Sequence, residues 1–203
     1  MEELNAQLVD CGVATLALGG ESESGDQHLI QPFAEGVLVA AVDGLGHGAE
    51  AAEAARIAVQ TLREHAGESV IALARRCHRN LQRSRGAVMS LACFNAADSV
   101  MTWMGIGNVG GLLVRADGSE PREVLLMRSG VVGGALPPLR ASVIPVSGGD
   151  TLILATDGVG DGFYDETNIS DPPQRIADRI LNTYNKGSDD AMVVVAHFLA
   201  ETT

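Results

Sequence analysis

Aromatic side chains are scarce in this chain: one Trp, two Tyr and four Phe make up 3 % of 203 residues. Any core must therefore be aliphatic, and hydrophobic types do reach 46 %, much of it Ala and Val. Cysteine is limited to Cys11, Cys77 and Cys93, an odd set with no paired spacing. That excludes a disulfide frame and a zinc site, and it suits buried thiols in a reducing cytosol. Basic residues are outnumbered, 14 against 26 acidic, for a formal charge of −12. Such a surface repels phosphate backbones, so no nucleic acid is expected as a partner. No apolar run approaches the roughly 20 residues that span a bilayer. The start, Met-Glu-Glu-Leu-Asn, lacks the basic residues and apolar stretch of a signal peptide. The expectation is a soluble, cytoplasmic protein with no membrane partner. Repeats, low-complexity tracts and linkers are missing too, so residues 1–203 read as a single domain.

What is present falls into a clear order. Ala6 to Leu18 and Gln27 to Pro32 are strand-like, with a polar loop at Glu21 to Asp26 between them. Val37 to Val42 is an apolar run that reads as a buried strand. Ala49 to Ala66 and Glu68 to Arg83 read as helices, the first alanine-rich and stopped by Gly67. The helical period then vanishes. Ala87 to Phe94 and Ser99 to Ile106 form an expected hairpin, as do Gly110 to Arg115 and Arg122 to Met127. Ser129 to Arg140 is a Gly/Pro-rich loop and Ser142 to Val146 a short strand. A further run ends at Asp157. Pro172-Pro173 opens a last helix, Gln174 to Tyr184, and a strand follows Asp190. The hairpins exclude an all-parallel doubly wound sheet. The expected class is α+β, with antiparallel sheets layered together and helices covering an outer face.

Three aspartates sit where apolar runs meet glycine or polar residues. Val37 to Val42 runs into Asp43-Gly44, and Leu152 to Thr156 runs into Asp157-Gly158. Asp189-Asp190 runs into Ala191 to Ala196. If the last strand lies antiparallel to the other two in one sheet, all three acids reach the same end. Clustered carboxylates resist ionising together, and a divalent cation resolves the conflict. Each Asp-Gly alone is also an ordinary turn; the combination points to a metal site. Glycine at 44 lets the backbone approach an ion, with its carbonyl as a further donor. Asp26 is a weaker fourth candidate. Adjacent acids at 189 and 190 have little structural purpose, and one is expected to face the site while the other faces solvent.

Hard oxygen donors select Mg²⁺ or Mn²⁺ over zinc. Two such ions, roughly 3.5–4 Å apart, activate a water for in-line attack on phosphorus and offset charge on the phosphoryl oxygens. No protein nucleophile is then needed. The chain agrees, with no Ser-His-Asp set, no Cys beside a base and no Walker A lysine motif.

The segments Ala41-Val42-Asp43-Gly44-Leu45-Gly46-His47-Gly48, Ala155-Thr156-Asp157-Gly158 and Asp189-Asp190-Ala191-Met192-Val193-Val194 resemble the metal-dependent PPM-type serine/threonine phosphatases in order and setting. The version resembles the bacterial SpoIIE-like branch. Gly105-Ile106-Gly107-Asn108-Val109 and Ser129-Gly130-Val131-Val132-Gly133 look most like its small stressosome phosphatases of the RsbX kind. The resemblance covers nearly the whole chain. It implies one PPM-type domain, an α-β-β-α sandwich with a two-metal centre at one end. Asp43 would bridge both ions, the Gly44 carbonyl would bind one, and Asp157 and Asp189 the other. Asp26 matches an outer ligand. Family pattern favours Asp189 over Asp190, with a one-residue slip left open. Phosphorylated STAS-domain proteins of the stressosome are the implied substrates.

The chain departs from the eukaryotic branch in two places. Leu45 stands where that branch has an acid histidine, and its phosphate-gripping arginine has no clear match. His47 is read as opening the helix at Ala49 rather than as the acid. His28, His65, His78 and His197 have no metal-ligand spacing. Arg75, Arg76, Arg79, Arg83 and Arg85 form a basic stripe, either a solvated helix face or a docking surface for an acidic partner. Two other functions stay open at this point. One is a non-catalytic interaction module descended from a phosphatase. The other is a metal hydrolase of small phosphate esters.

Overall fold

A computed structural model describes residues 8–19, 21, 23–95, 97–117, 122–165 and 168–199. Ala6, Ala96 and Gly118, which fall in predicted elements or turns, lie outside the described residues. Eleven strands, three helices and a short 3₁₀ turn follow one another within them. One sheet holds β1 (Val9–Leu16), β11 (Ala191–Phe198), β10 (Thr151–Ala155), β6 (Gly110–Val114) and β7 (Glu123–Val124), in that spatial order. The other holds β2 (Asp26–Phe33), β3 (Gly36–Gly44), β4 (Ala87–Asn95), β5 (Val100–Ile106) and β8 (Met127–Arg128). Strand β9 (Ser142–Pro145) also pairs with β5.

The sheets pack face to face. Val37, Val39 and Ala41 of β3 meet Met192, Val194 and Ala196 of β11 in one apolar cluster that includes Trp103, 2 % exposed. The alternate residues of β3, Leu38, Ala40 and Val42, face outward onto α1 (Ala49–Glu64) and α2 (Val70–Leu81). Small side chains on both sides set that contact: Ala54, Ala55 and Ala58 of α1 are fully buried against it. On the far side, Val193 and Val195 of β11 pack against Ile176, Ala177 and Ile180 of α3 (Pro173–Tyr184). Burying one such aliphatic side chain contributes about 1.5–3 kcal/mol. The layers are therefore α-β-β-α, as expected, mostly aliphatic, with Phe94, Trp103 and Phe198 as the aromatic residues buried between the sheets.

Local signals explain most boundaries. The Ser69 hydroxyl caps α2 by accepting from Ala72 N–H. Pro173 opens α3, where a missing N–H costs nothing. The second expected hairpin is corrected. Only Glu123–Val124 pairs with β6. The chain then crosses to the other sheet, where Met127 and Arg128 lie parallel to Gly105 and Ile106 of β5. That sheet is thus mixed rather than wholly antiparallel. Leu125, buried between the two short strands, carries the crossing. Among the described residues, no helix is long and apolar enough to cross a membrane.

Candidate metal centre

Asp26 is the first residue of β2 and Asp43 the last but one of β3, and the ladder sets them directly opposite each other. In the facing sheet, Asp157 follows β10 and Asp189 precedes β11. Those strands are antiparallel, with Ala155 opposite Val193, so both acids emerge at one end. The expectation of a single shared sheet is corrected: Asp43 comes from one sheet, Asp157 and Asp189 from the other. Convergence depends on the sandwich, not on one ladder.

Asp43, Asp157 and Asp189 line one open pocket of about 420 Å³. Its other walls are Leu45-Gly46, Val88, Gly107-Asn108 and Ser129-Gly130-Val131. No histidine or cysteine is among these lining residues. Asp26 is buried behind it, 5 % exposed, and Gly44 does not line it. Among the described residues, no three acidic, imidazole or thiol side chains are closed tightly enough to hold an ion as they stand. The acids surround a common space.

Their electrostatics follow from that crowding. Burial pushes the Asp43 carboxyl up to about 8, reinforced by the charges of Asp26, Asp157, Asp189 and Asp190. Burial raises Asp26 to about 7, opposed by a hydrogen bond from Thr156 and reinforced by neighbouring acids. Asp157 is raised by burial and by Asp189, against the pull of Lys186 and Asn108. The Asn108 amide donates to Asp157 Oδ2 at 2.6 Å. The Lys186 ammonium donates to the Asp157 carbonyl at 2.7 Å. Thr156 Oγ1 donates to Asp26 Oδ2 at 2.7 Å while accepting from Met192 N–H at 2.8 Å. Sequence reasoning missed Asn108, Thr156 and Lys186 as supports. The only trace was their place beside recognised motifs.

Asp190 differs most from expectation. It is 4 % exposed, not in solvent. Its two carboxylate oxygens accept from Leu18 N–H and Gly25 N–H, each at 2.7 Å. It is a clasp that ties the segment before Asp26 to β11. Asp189 is left facing the pocket. Gly44 also has a different reason to be glycine: a Cβ there would stand 2.0 Å from the Ala51 carbonyl of α1. His47 does not cap α1. Gly48 does, with φ 76°, while His47 is exposed and bonded to Glu21 at 2.7 Å. His78 is not idle either, since its Nδ1 accepts from Gly133 N–H at 3.0 Å and holds the 129–140 loop. In the basic stripe, Arg76 is paired with Glu68 and Arg85 with Glu50.

A sandwich of two sheets between helical layers, with aspartates of both sheets meeting at one end, is the architecture of the PP2C-type, or PPM, phosphoprotein phosphatases. Within that class the chain belongs to the SpoIIE family: the family model of Stage II sporulation protein E (SpoIIE) matches residues 34–199. Phosphoserine phosphatase RsbX of Bacillus subtilis (strain 168) is 26 % identical over 140 residues, 69 % of each protein. A solved chain from a study of the bacterial stressosome, described as a modular system adapted to control secondary-messenger signalling, superposes with a TM-score of 0.85. It is 27 % identical, over 93 % of this chain and 99 % of that one. RsbX in complex with magnesium superposes at 0.80 and 22 % identity, over 94 % and 95 % of the two chains.

Proposed function

We propose that this phosphatase uses two divalent cations, Mn²⁺ or Mg²⁺, to hydrolyse phosphoserine or phosphothreonine on regulatory proteins, with STAS-domain stressosome components as substrates. One observation carries the reading: Asp43, Asp157 and Asp189 line a single open pocket although they come from two sheets. The donors fit a hard cation, being carboxylates with no thiol or imidazole among the lining residues. Asp43, the Gly44 carbonyl, Asp157 and Asp189 would hold the ions, with Asp26 behind as an outer donor. Bound there, the cations would lower the pKa of water and offset phosphoryl charge.

The remaining work belongs to the chain. Asn108 and Lys186 fix Asp157 through its side chain and its backbone. Thr156 fixes Asp26, and the Asp190 clasp fixes the segment that leads into it. The pocket is open to the surface, which suits a phosphorylated side chain presented by another protein. RsbX is named a phosphoserine phosphatase, and the stressosome likeness supports signalling proteins as partners.

The test is hydrolysis of p-nitrophenyl phosphate, then of a phosphoserine-bearing STAS-domain protein, with Mn²⁺, Mg²⁺ or chelator. Turnover should require the cation and be lost in Asp43→Asn. Equal turnover in chelator would overturn the metal reading. Rapid hydrolysis of the aryl ester with none of the phosphoprotein would overturn the substrate reading.

A further inference from the structure

One wall of the metal pocket carries no charge. Ser129, Gly130 and Val131 line the same space as Asp43, Asp157 and Asp189. Hard cations prefer the carboxylates, so this wall is left to face the group that enters. Ser129 supplies the one hydroxyl among the lining residues, which include no Arg or Lys.

That wall hangs on α2. Before it, the Arg128 carbonyl accepts from Gly107 N–H at 2.8 Å. After it, the chain turns back on itself. Val131 N–H donates to the Ala135 carbonyl at 2.9 Å, and Gly134 N–H donates to the Val131 carbonyl at 3.2 Å. Val132 exchanges backbone hydrogen bonds of 2.8 and 2.9 Å with Ala87. This bridge fixes one point of the turn and leaves its tilt open. Gly133 sets the tilt. Its N–H donates to His78 Nδ1 of α2 at 3.0 Å. Its φ is 95°, and a Cβ there would stand 2.7 Å from Leu81 Cβ and 2.8 Å from the Leu81 carbonyl. The turn is thus pressed against the last residue of α2, and His78 supplies the side-chain bond between helix and turn. A backbone N–H only donates, so Nδ1 carries no proton in this arrangement.

We propose that His78 is a positioning residue for the substrate. Through Gly133 it fixes the turn at 131–135, and so holds Ser129, Gly130 and Val131 against the entering phosphate ester. His78 is not itself among the lining residues, and it acts only through the wall. Loss of its bond loosens the wall and weakens substrate binding. The cations and the water they activate stay as they are, since no carboxylate moves. This rests on the phosphatase reading above and adds how α2 governs the same pocket.

The experiment compares wild type with His78→Ala, His78→Asn and His78→Gln on p-nitrophenyl phosphate at saturating Mn²⁺. In His78→Asn the amide oxygen stands where Nδ1 stood; in His78→Gln it falls one bond further out, near the place of Nε2. His78→Ala and His78→Gln should raise KM about fivefold, the worth of one hydrogen bond, with kcat within about twofold. His78→Asn should restore the wild-type KM. Amide hydrogen exchange over residues 129–135 should quicken in His78→Ala and His78→Gln and not in His78→Asn. The Mn²⁺ dissociation constant from calorimetry should be the same in all four proteins. Urea midpoints report stability separately: a lowered midpoint with unchanged KM makes His78 a structural residue only and overturns the proposal. So does a loss of kcat or of Mn²⁺ affinity without a rise in KM, or a His78→Asn protein no better than His78→Ala. Wild type with no turnover at all would overturn the phosphatase reading, which an unchanged KM in the His78 variants leaves standing.

Discussion

Asp26 and Asp43 occupy paired positions in the β2–β3 ladder, a buried and a half-buried carboxyl one strand spacing apart. Each is raised well above the ordinary carboxylate range of about 4, Asp26 to about 7 and Asp43 to about 8, chiefly by burial. A raised folded-state value means that the fold favours the neutral form. Its contribution to stability is fully present below the unfolded value of about 4 and is lost as pH rises through 7 to 8. The chelator-treated protein should thus weaken between pH 5 and pH 8. In Asp43→Asn the loss should be smaller, and at pH 8 the variant should outlast wild type. Urea midpoints in EDTA at the two pH values check this. A wild-type midpoint that rises relative to Asp43→Asn over that range would contradict the crowding argument. Saturating Mn²⁺ should reverse the order at pH 8, because it favours the ionised form that only wild type supplies at this position.

Asp189 and Asp190 should separate function from stability. Asp190→Ala leaves the Leu18 and Gly25 N–H groups without their acceptor in a buried setting, at a cost of about 2–4 kcal/mol. Asp189→Ala removes a pocket-facing acid whose Oδ1 accepts from the neighbouring Asp190 N–H. Its stability should stay within about 1 kcal/mol of wild type, while Mn²⁺ binding measured by calorimetry is lost or greatly weakened. The reverse pattern would exchange the roles given to the two residues.

Gly44 offers a third test. Ala51 O of α1 would lie 2.0 Å from an added Cβ, so α1 must move for any side chain to fit. Gly44→Ala should cost about 3 kcal/mol or more by strand–helix displacement alone. Chelator-treated protein shows this cost in chemical denaturation, independent of any ion. A variant as stable as wild type would mean that the helix yields easily.

The layers were legible because apolar periodicity carried them. Val37 to Val42 and Ala191 to Ala196 are apolar without interruption since each is covered on both faces. Alanine at 54, 55 and 58 marks a helix pressed close to a strand. The acids Asp43, Asp157 and Asp189 were found because each adjoins such a run. Their assembly across two sheets was not legible, since sheet membership is set by long-range pairing that no local pattern records. The same limit hid the clasp. Nothing near Asp190 in sequence indicates that its partners are Leu18 and Gly25. Register also promoted Asp26, a loop acid by composition, to the residue facing Asp43. The short β7 and β8 were misread as one strand because an apolar stretch from Val124 to Met127 does not reveal where it changes sheets.

Asn108 is exposed, yet its amide is 2.6 Å from Asp157 Oδ2. A hydrogen bond of that length fixes which way the carboxylate turns and leaves its other oxygen for the pocket. Supports of this kind commonly govern metal affinity by 10–100-fold. Asn108→Ala should therefore raise the Mn²⁺ dissociation constant by about that factor and lower kcat for p-nitrophenyl phosphate at limiting cation. Excess Mn²⁺ should recover much of the loss, because the ligand is still there and only its orientation is freer. Asn108→Asp should be worse than Ala, since a further acid faces Asp157 and raises the cost of ionising it. Thermal unfolding in chelator should scarcely move for Asn108→Ala, as befits an exposed side chain. Calorimetric Mn²⁺ titration decides the matter: an unchanged dissociation constant would mean that Asp157 keeps its orientation without the amide.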